Sequence, residues 1–582
     1  MDTRESVCLL CPMGCRVAVR AMGEAVVGPE FVSARPGDAR VCARGLFTTE
    51  LLNHNQRVAV PLLRRDGVLR DAAWDAAIAE LAARVKGVIR SSGAGSVAIV
   101  TDAVRSDSDL AAVDRLARCI GTDAVACMLE PQDAALAAAG ESAGVAAIEE
   151  AGCVIVFGDV FFSQPVLARQ IIDAKYTARG NSLFVVDPRR SNTAWFASEY
   201  VQNHPGTEAL VLAALLKALA AAGKGAGQAA WLEGVDEKAL LDSAGVSKAV
   251  VGRMARSFAD AAKAAIIVAP SVRGVSDVEL VACLARLAVE MAGAGKAYVG
   301  LPSEGNVKGA VRAAADGGWM PIASLISQLN EGRFKALISV GADLFSAFPS
   351  ASLEKAVEGL DFVASYSLFR DRVADRAEVV LAGATWLEAD GSAVLFDGSP
   401  VSWKAVGRPS WGARTLPDVV AALERALGAP AAAAKSAHKN KAQSELTAAA
   451  LQQRLEAAVR LTGSKSAAGK SLVAVAATGH TAAGGITRHI DWAREMFPTG
   501  IAEISAQDAA EAGIRDGDGV VLTSETSSGR FSVKVTERLQ QGVVGVAAFD
   551  PAARALFSWE DAGGNVFSTA PGSVRLARES KQ

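Results

Sequence analysis

Four of the eight cysteines fall within the first 42 residues, in the spacing Cys8-x2-Cys11-x3-Cys15-x26-Cys42. Thiolates are the soft ligands that iron–sulfur clusters and zinc select. A [4Fe-4S] cubane needs one external thiolate for each iron, and three cysteines within eight residues, joined by a fourth from further along, suit that demand. Pro12 fixes the backbone direction inside the loop, and Gly14 permits a positive φ beside the ligands. Zinc is the competing occupant, but it more often takes two separated Cys-x2-Cys pairs. The grouping here is three plus one, so Cys8, Cys11, Cys15 and Cys42 are expected to hold a [4Fe-4S] cluster.

The remaining reactive residues form no second constellation. Cys119, Cys153 and Cys283 stand singly and read as small buried hydrophobes. His54, His204, His438, His480 and His489 sit in unrelated contexts, with no pair at metal-ligand spacing. Neither Gly-x-Gly-x-x-Gly nor a Walker-type loop occurs, so NAD or ATP would have to bind on a partner. The net charge is −3 and no basic stripe is interleaved with aromatics, which argues against nucleic acid as a partner. The N-terminus lacks a basic region followed by an apolar stretch, and no apolar run reaches the roughly 18–20 residues of a membrane span. A cytoplasmic protein without a transmembrane segment is expected, its cysteines being reduced thiols or metal ligands.

These residues need a scaffold, and the 582-residue chain is long enough for roughly three to five domains. Four zones separate by composition. Residues 1–60 hold the cysteine module. Over 61–428, apolar runs alternate with Ala/Leu-rich helical segments such as Glu208–Ala222 and Asp277–Ala292. The runs are Ser96–Asp102, Cys153–Asp159, Ser182–Pro188, Ala264–Pro270, Lys335–Asp343, Asp361–Ser367 and Ala377–Ala384. Near-continuous apolar strands between helices predict two doubly wound, Rossmann-like parallel sheets in an α/β fold. Several of these runs end in Asp, Gly or Pro, at the carboxyl edge where open α/β sheets bind ligands. Residues 429–470 read as a linker carrying one helix near Glu445–Leu461. From 471 to 582, short strands separated by turns predict a β-barrel domain.

From Cys42-Ala43-Arg44-Gly45 onward, through RVAVPLLRRDGVLRDAAWDAAI (Arg57–Ile78), the chain resembles molybdopterin oxidoreductases such as formate dehydrogenases, and the related large iron–sulfur subunit of NADH:quinone oxidoreductase. The likeness continues through Gly158–Lys175, Val185–Leu215, Glu378–Gly398, Gly484–Ala493 and Ile504–Leu522, in the family's order. It implies a bound molybdopterin guanine dinucleotide, with molybdenum or tungsten. By the resemblance, Arg44 lies between cluster and pterin as electron relay and charge partner. Asp187 accepts hydrogen bonds from guanine, and Arg189 meets phosphate. Thr487 and Arg488 contact the dinucleotide from a C-terminal, pterin-capping barrel.

The departures from that pattern concern formate. Formate-oxidising members present a Cys or selenocysteine followed by His, where this chain reads Cys127-Met128-Leu129-Glu130-Pro131. The metal-ligand position falls on Cys127, Met128 or Gln132, and only Cys127 offers a thiolate. The arginine that orients formate is replaced within LPSEGNVKGA (Leu301–Ala310) by Pro302 or Ser303. The resulting expectation is an iron–sulfur electron-transfer subunit of a cytoplasmic oxidoreductase complex, with a degraded formate site and with other iron–sulfur or flavoprotein subunits as partners. Two alternatives stay open: an active molybdenum or tungsten formate dehydrogenase catalytic subunit with Cys127 on the metal, and a redox-inactive scaffold.

Overall fold

The computed structural model describes residues 1–30, 41–269, 272–273, 277–428, 447–463, 471–477, 485–557, 560–561, 567–568 and 573–578. The chain opens on an antiparallel hairpin, Asp2–Val7 against Arg16–Met22, with Ala25–Glu30 as a third strand. Alternation fixes its buried face: Val17, Val19 and Ala21 point inward while their neighbours face outward,. The last ladder pair is Val7↔Arg16, and the Cys8 amide donates to the Cys15 carbonyl at 2.8 Å just beyond it. Residues 8–15 are therefore the hairpin's own turn. Gly14 has φ +58 there, the left-handed conformation expected of it.

Both doubly wound sheets are present, and one is nested inside the other. The outer sheet runs in the order Val68–Asp71, Leu62–Arg65, Val379–Ala382, Phe362–Ser367, Ala336–Val340, Val97–Thr101, Val125–Cys127. Its last five strands are parallel, and the first two form an antiparallel edge hairpin. The chain leaves this sheet after Cys127, builds a five-stranded parallel sheet, and returns at Ala336. The inner sheet runs Glu199–Val201, Ser182–Val186, Cys153–Gly158, Ala264–Ala269, Lys296–Gly300. The central strands are buried along their whole length, as apolar strands covered on both faces must be. Helix Glu208–Ala221 is apolar nearly all round because helices Glu237–Ala244, Lys248–Asp260 and Val278–Ala292 enclose it,.

Strand order reverses once in each sheet, between Ala336–Val340 and Val97–Thr101 in the outer and between Cys153–Gly158 and Ala264–Ala269 in the inner. At each reversal a strand ends in a positive-φ glycine followed by an aspartate that caps a four-residue helix. Gly158-Asp159 leads into Val160–Ser163, and Gly341-Ala342-Asp343 leads into Leu344–Ala347.

The C-terminal barrel closes through Ser471–Ala477, Val543–Ala547, Ile501–Ser505, Ser528–Thr536, Gly519–Thr523 and Ser573–Arg578, which pairs back onto Ser471–Val473. Val272–Arg273 reaches over from the inner domain to pair with Ala476–Ala477. The helix expected near Glu445–Leu461 spans Ala448–Gly463; residues 429–446 and 464–470 of the expected linker lie outside the described residues, as do His438 and His480.

Candidate functional site: a cysteine loop facing two sheet reversals

Cys8 and Cys11 are buried, and Cys15 and Cys42 are partly so. Burial pushes the thiols of Cys8, Cys11 and Cys15 up, and neighbouring cysteines push them further, so the four sulfurs lie within one another's electrostatic reach. Two backbone amides oppose the shift, Leu10 N–H toward Cys8 and Met13 N–H toward Cys11, and amides aimed at sulfur favour thiolate. Arg44, 2% exposed, donates through Nη2 to the Ser163 carbonyl at 2.5 Å and hydrogen-bonds Cys42. Burial works against its charge, yet Cys11, Cys42 and Cys8 raise its pKa overall. Its Nε has no partner, and it forms no ion pair among the described residues.

Among the described residues, no three His, Cys, Asp or Glu side chains converge as a single metal ion would require. A cubane carries its thiolates on four separate irons and so spreads them wider than one ion does. The thiol set and the uncompensated buried cation fit such a dianionic centre.

The rest of the site packs onto this loop. Phe396 N–H donates to the Pro12 carbonyl at 3.0 Å, Leu395 lies over Gly14, and a Cβ on Gly305 would stand 2.2 Å from the Leu9 carbonyl. Leu301–Ala310, expected at the formate site, and Glu378–Gly398, one of the segments that carry the resemblance, thus reach the cysteine loop through close backbone approach.

At the inner reversal, Asp159 accepts from Phe162 N–H at 3.3 Å and from Thr193 Oγ1 at 2.6 Å, and Asp187, fully buried, accepts from Arg189 N–H at 2.9 Å. Arg189 does not stand free for phosphate. Its guanidinium forks onto Glu503 of the barrel, Nη2 to Oε2 at 2.8 Å and Nε to Oε2 at 3.0 Å.

At the outer reversal, Arg488 Nη1 donates to Asp343 Oδ2 at 3.0 Å and to Ser346 Oγ at 3.1 Å, with buried Thr487 beside it. Arg105 forks onto Asp102 at 3.1 Å, and a Cβ on Gly341 would collide with that guanidinium. Arg488 therefore meets the carboxyl edge of the outer sheet through Asp343, and Glu503 of the barrel meets that of the inner sheet through Arg189.

Cys127 ends its strand, 5% exposed among aliphatic neighbours. Burial first, then Asp102 and Glu304, push its thiol well up, with Arg105 pulling the other way. Ser303, one of the two positions (with Pro302) expected in place of the formate-orienting arginine, donates its N–H and Oγ to Asp133 at 2.7 and 2.5 Å. Glu130 is taken by Arg554 of the barrel at 2.8 Å. The carboxylates of Asp102 and Glu304 thus act on Cys127, while Arg105 is paired with Asp102 and Arg554 with Glu130. Of the other cysteines, Cys153 is buried, whereas Cys119 and Cys283 are only partly so.

Several residues here carry no signal in the sequence beyond a strand-end position. Asp159 and Asp343 are legible only as helix caps, and the Gly-Asp echo between them is the one clue to a shared role. His54 and His489, unrelated in sequence, come together with rings 5.8 Å apart, and His489 stacks on Phe369 at 3.8 Å.

Comparison with known proteins agrees with this geometry. The family model for molybdopterin oxidoreductase matches residues 57–426, and that for the "Molydopterin dinucleotide binding domain" matches 472–565. The chain is 25% identical to F420-dependent formate dehydrogenase 1 subunit alpha of Methanococcus maripaludis, over 67% of this chain and 65% of that one. It is 24% identical to formate dehydrogenase H of Escherichia coli, over 73% and 68%, and 24% identical to NADPH-Fe(3+) oxidoreductase subunit alpha of Geobacter sulfurreducens, over 93% and 71%. The match therefore spans just under two thirds of the Methanococcus protein. Acetylene hydratase from Pelobacter acetylenicus superposes with a TM-score of 0.71 at 14% identity, covering 99% of this chain and all of that one, which shows a shared fold. With well over half its length matched by the family model, and both sheets and the closed barrel in place, the chain belongs to the molybdopterin oxidoreductase family.

Proposed function

We propose that this chain is an electron-transfer subunit whose Cys8, Cys11, Cys15 and Cys42 hold a [4Fe-4S] cluster, and whose ancestral formate site is degraded. The observation that carries the reading is the pairing of four clustered thiols with Arg44, a buried guanidinium that forms no ion pair among the described residues. Leaving such a charge uncompensated costs several kcal/mol, and a dianionic cluster offsets it. A cluster bound there would supply one-electron transfer. Arg44 would hold its potential up and bridge toward Ser163, while the Leu10 and Met13 amides stabilise the thiolates. A molybdopterin dinucleotide is supported by the match to the dinucleotide-binding domain, and Asp187, Arg189, Thr487 and Arg488 would hold it along the two carboxyl edges. For its phosphates to reach Arg189 and Arg488, Glu503 and Asp343 would have to yield those guanidiniums.

The formate-dehydrogenase relatives favour a second reading, a molybdenum or tungsten enzyme with Cys127 on the metal. Against it stand the carboxylates around Cys127 and the loss of both His and arginine. Elemental analysis of anaerobically purified protein separates the readings. About four irons and four sulfides per chain, with a cubane EPR signal on reduction that Cys11→Ser removes, are expected. Stoichiometric zinc without iron would overturn the proposal.

A further inference from the structure

We infer that the outer edge of the five-stranded sheet is an electron-exchange face for a small acidic iron–sulfur carrier protein, which docks on Tyr176, Trp195 and Phe196 between the cations Lys175, Arg190 and Arg538. The inference rests on the electron-transfer reading above and adds the partner to it.

The three aromatic side chains are 66%, 65% and 41% exposed, unusual for rings of that size, and contiguous exposed apolar surface marks interaction sites. They are knitted to the cations. Lys175 Nζ donates to the Phe196 carbonyl and lies 4.8 Å from the Tyr176 ring. Arg538 lies 6.0 Å from the Trp195 ring centroid, and the Arg190 amide donates to the Arg538 carbonyl at 2.8 Å.

None of the three cations enters an ion pair among the described residues. Asp173 is paired with Arg169 and Glu199 with Arg253, and Glu537, next to Arg538, is an exposed carboxylate beside the cations. A locally positive, aromatic patch on a chain of net charge −3 selects an acidic partner and speeds its encounter. Aromatic rings and arginines are also the residues that carry binding energy at protein interfaces.

The patch is wired inward. Phe196 packs on Phe161 with ring centroids 5.3 Å apart. Phe161 belongs to the helical turn Val160–Ser163, and the Ser163 carbonyl accepts Arg44, which in turn bonds Cys42. Thr193 Oγ1 accepts from Phe161 N–H at 3.0 Å and donates to Asp159, locking the aromatic segment to that turn. The contact path from the patch to Cys42 thus runs through Phe196, Phe161, one helical turn and the Arg44 guanidinium.

The test uses the anaerobically purified holoprotein and, as probe, a reduced acidic plant-type [2Fe-2S] ferredoxin, with cluster reduction followed by stopped-flow absorbance. The wild-type rate is expected to fall about tenfold or more between low and high salt. Lys175→Glu/Arg538→Glu should lower the low-salt rate by at least about tenfold, and Trp195→Ala should lower it at all salt concentrations. The dithionite-reduced EPR signal should be unchanged in all three proteins. A cluster reduced by dithionite but untouched by ferredoxin, or reduced equally fast in the variants, overturns the docking face alone. A chain with no dithionite-reducible cluster overturns the electron-transfer reading beneath it.

Discussion

Arg57 and Glu388 are each 1% exposed at the side chain and joined through two 2.9 Å hydrogen bonds. Glu388 also accepts from the Thr385 and Ser410 amides, and Arg57 donates to the Leu52 and Gly383 carbonyls. Both carboxylate oxygens and both terminal guanidinium nitrogens are thus used to tie the cysteine module to the outer sheet. Removing one partner leaves a buried charge, so Glu388→Ala should cost about 3–5 kcal/mol in urea unfolding. Replacing both with apolar residues should recover most of that loss.

Asp371 makes the complementary case. Burial and then the Asp343 carboxylate push its pKa up to about 7, while the Ala374 amide, Arg488 and Ser367 pull it down. Its ordinary value is 3.8, so between about pH 4 and 7 the folded chain holds a proton that the unfolded chain releases. The contribution is fully present below pH 4 and lost as pH rises toward 7. Asp371→Asn should flatten that decline and leave the variant more stable than wild type at pH 8, by up to about 4 kcal/mol. Equal urea midpoints for the two proteins at pH 8 would contradict this.

At the level of elements, the strand-to-helix turns at the two reversals set the geometry of everything bound there. Gly341 has φ +69, and a Cβ on it would stand 1.7 Å from Arg105 Nη2. Gly67 has φ +78 with open space around it. Ala at either position pays the left-handed strain of about 1–2 kcal/mol, but Gly341→Ala must also displace Arg105 from Asp102. It should therefore cost clearly more than Gly67→Ala in thermal unfolding, and matching losses would show that Arg105 relocates freely. The strands behind these turns were legible in the sequence because a parallel strand buried on both faces is an unbroken apolar run. Val125–Cys127 was not, since three residues carry no period. Lys296–Gly300 opens on a lysine and falls below the same signal. The Leu62–Arg65 hairpin alternates weakly because it lies at an edge. Long-range pairs such as Arg488 with Asp343 or His54 with His489 leave no local trace at all, because only the docking of the barrel creates them. The cysteine loop was legible for the opposite reason, as Cys8, Cys11 and Cys15 are brought together by local spacing within a single turn.

At the scale of the whole molecule, three guanidinium–carboxylate pairs among the described residues hold the barrel to the α/β body, Arg189 with Glu503, Arg488 with Asp343 and Arg554 with Glu130. The third lies in the neighbourhood of Cys127. Arg554 also donates to the Ala347 and Ala548 carbonyls, so each of its three nitrogens already has a partner. Arg105 is likewise bound to Asp102. A formate ion arriving beside Cys127 would meet the Asp102 and Glu304 carboxylates, with Arg105 already paired to Asp102 and Arg554 to Glu130. Losing a charge-assisted contact costs roughly 1.5–3 kcal/mol, one to two decades of affinity. Losing the proton acceptor removes a further two to four decades of rate, on the order of what general-base catalysis supplies. Protein purified without oxygen from its native source, grown with molybdate or tungstate, should therefore reduce viologen with formate at a rate several decades below an ordinary enzyme's ~1–1,000 per second. Turnover within that ordinary range, abolished by Cys127→Ala, would show that docking of the barrel leaves the site open to substrate and would restore the formate dehydrogenase reading.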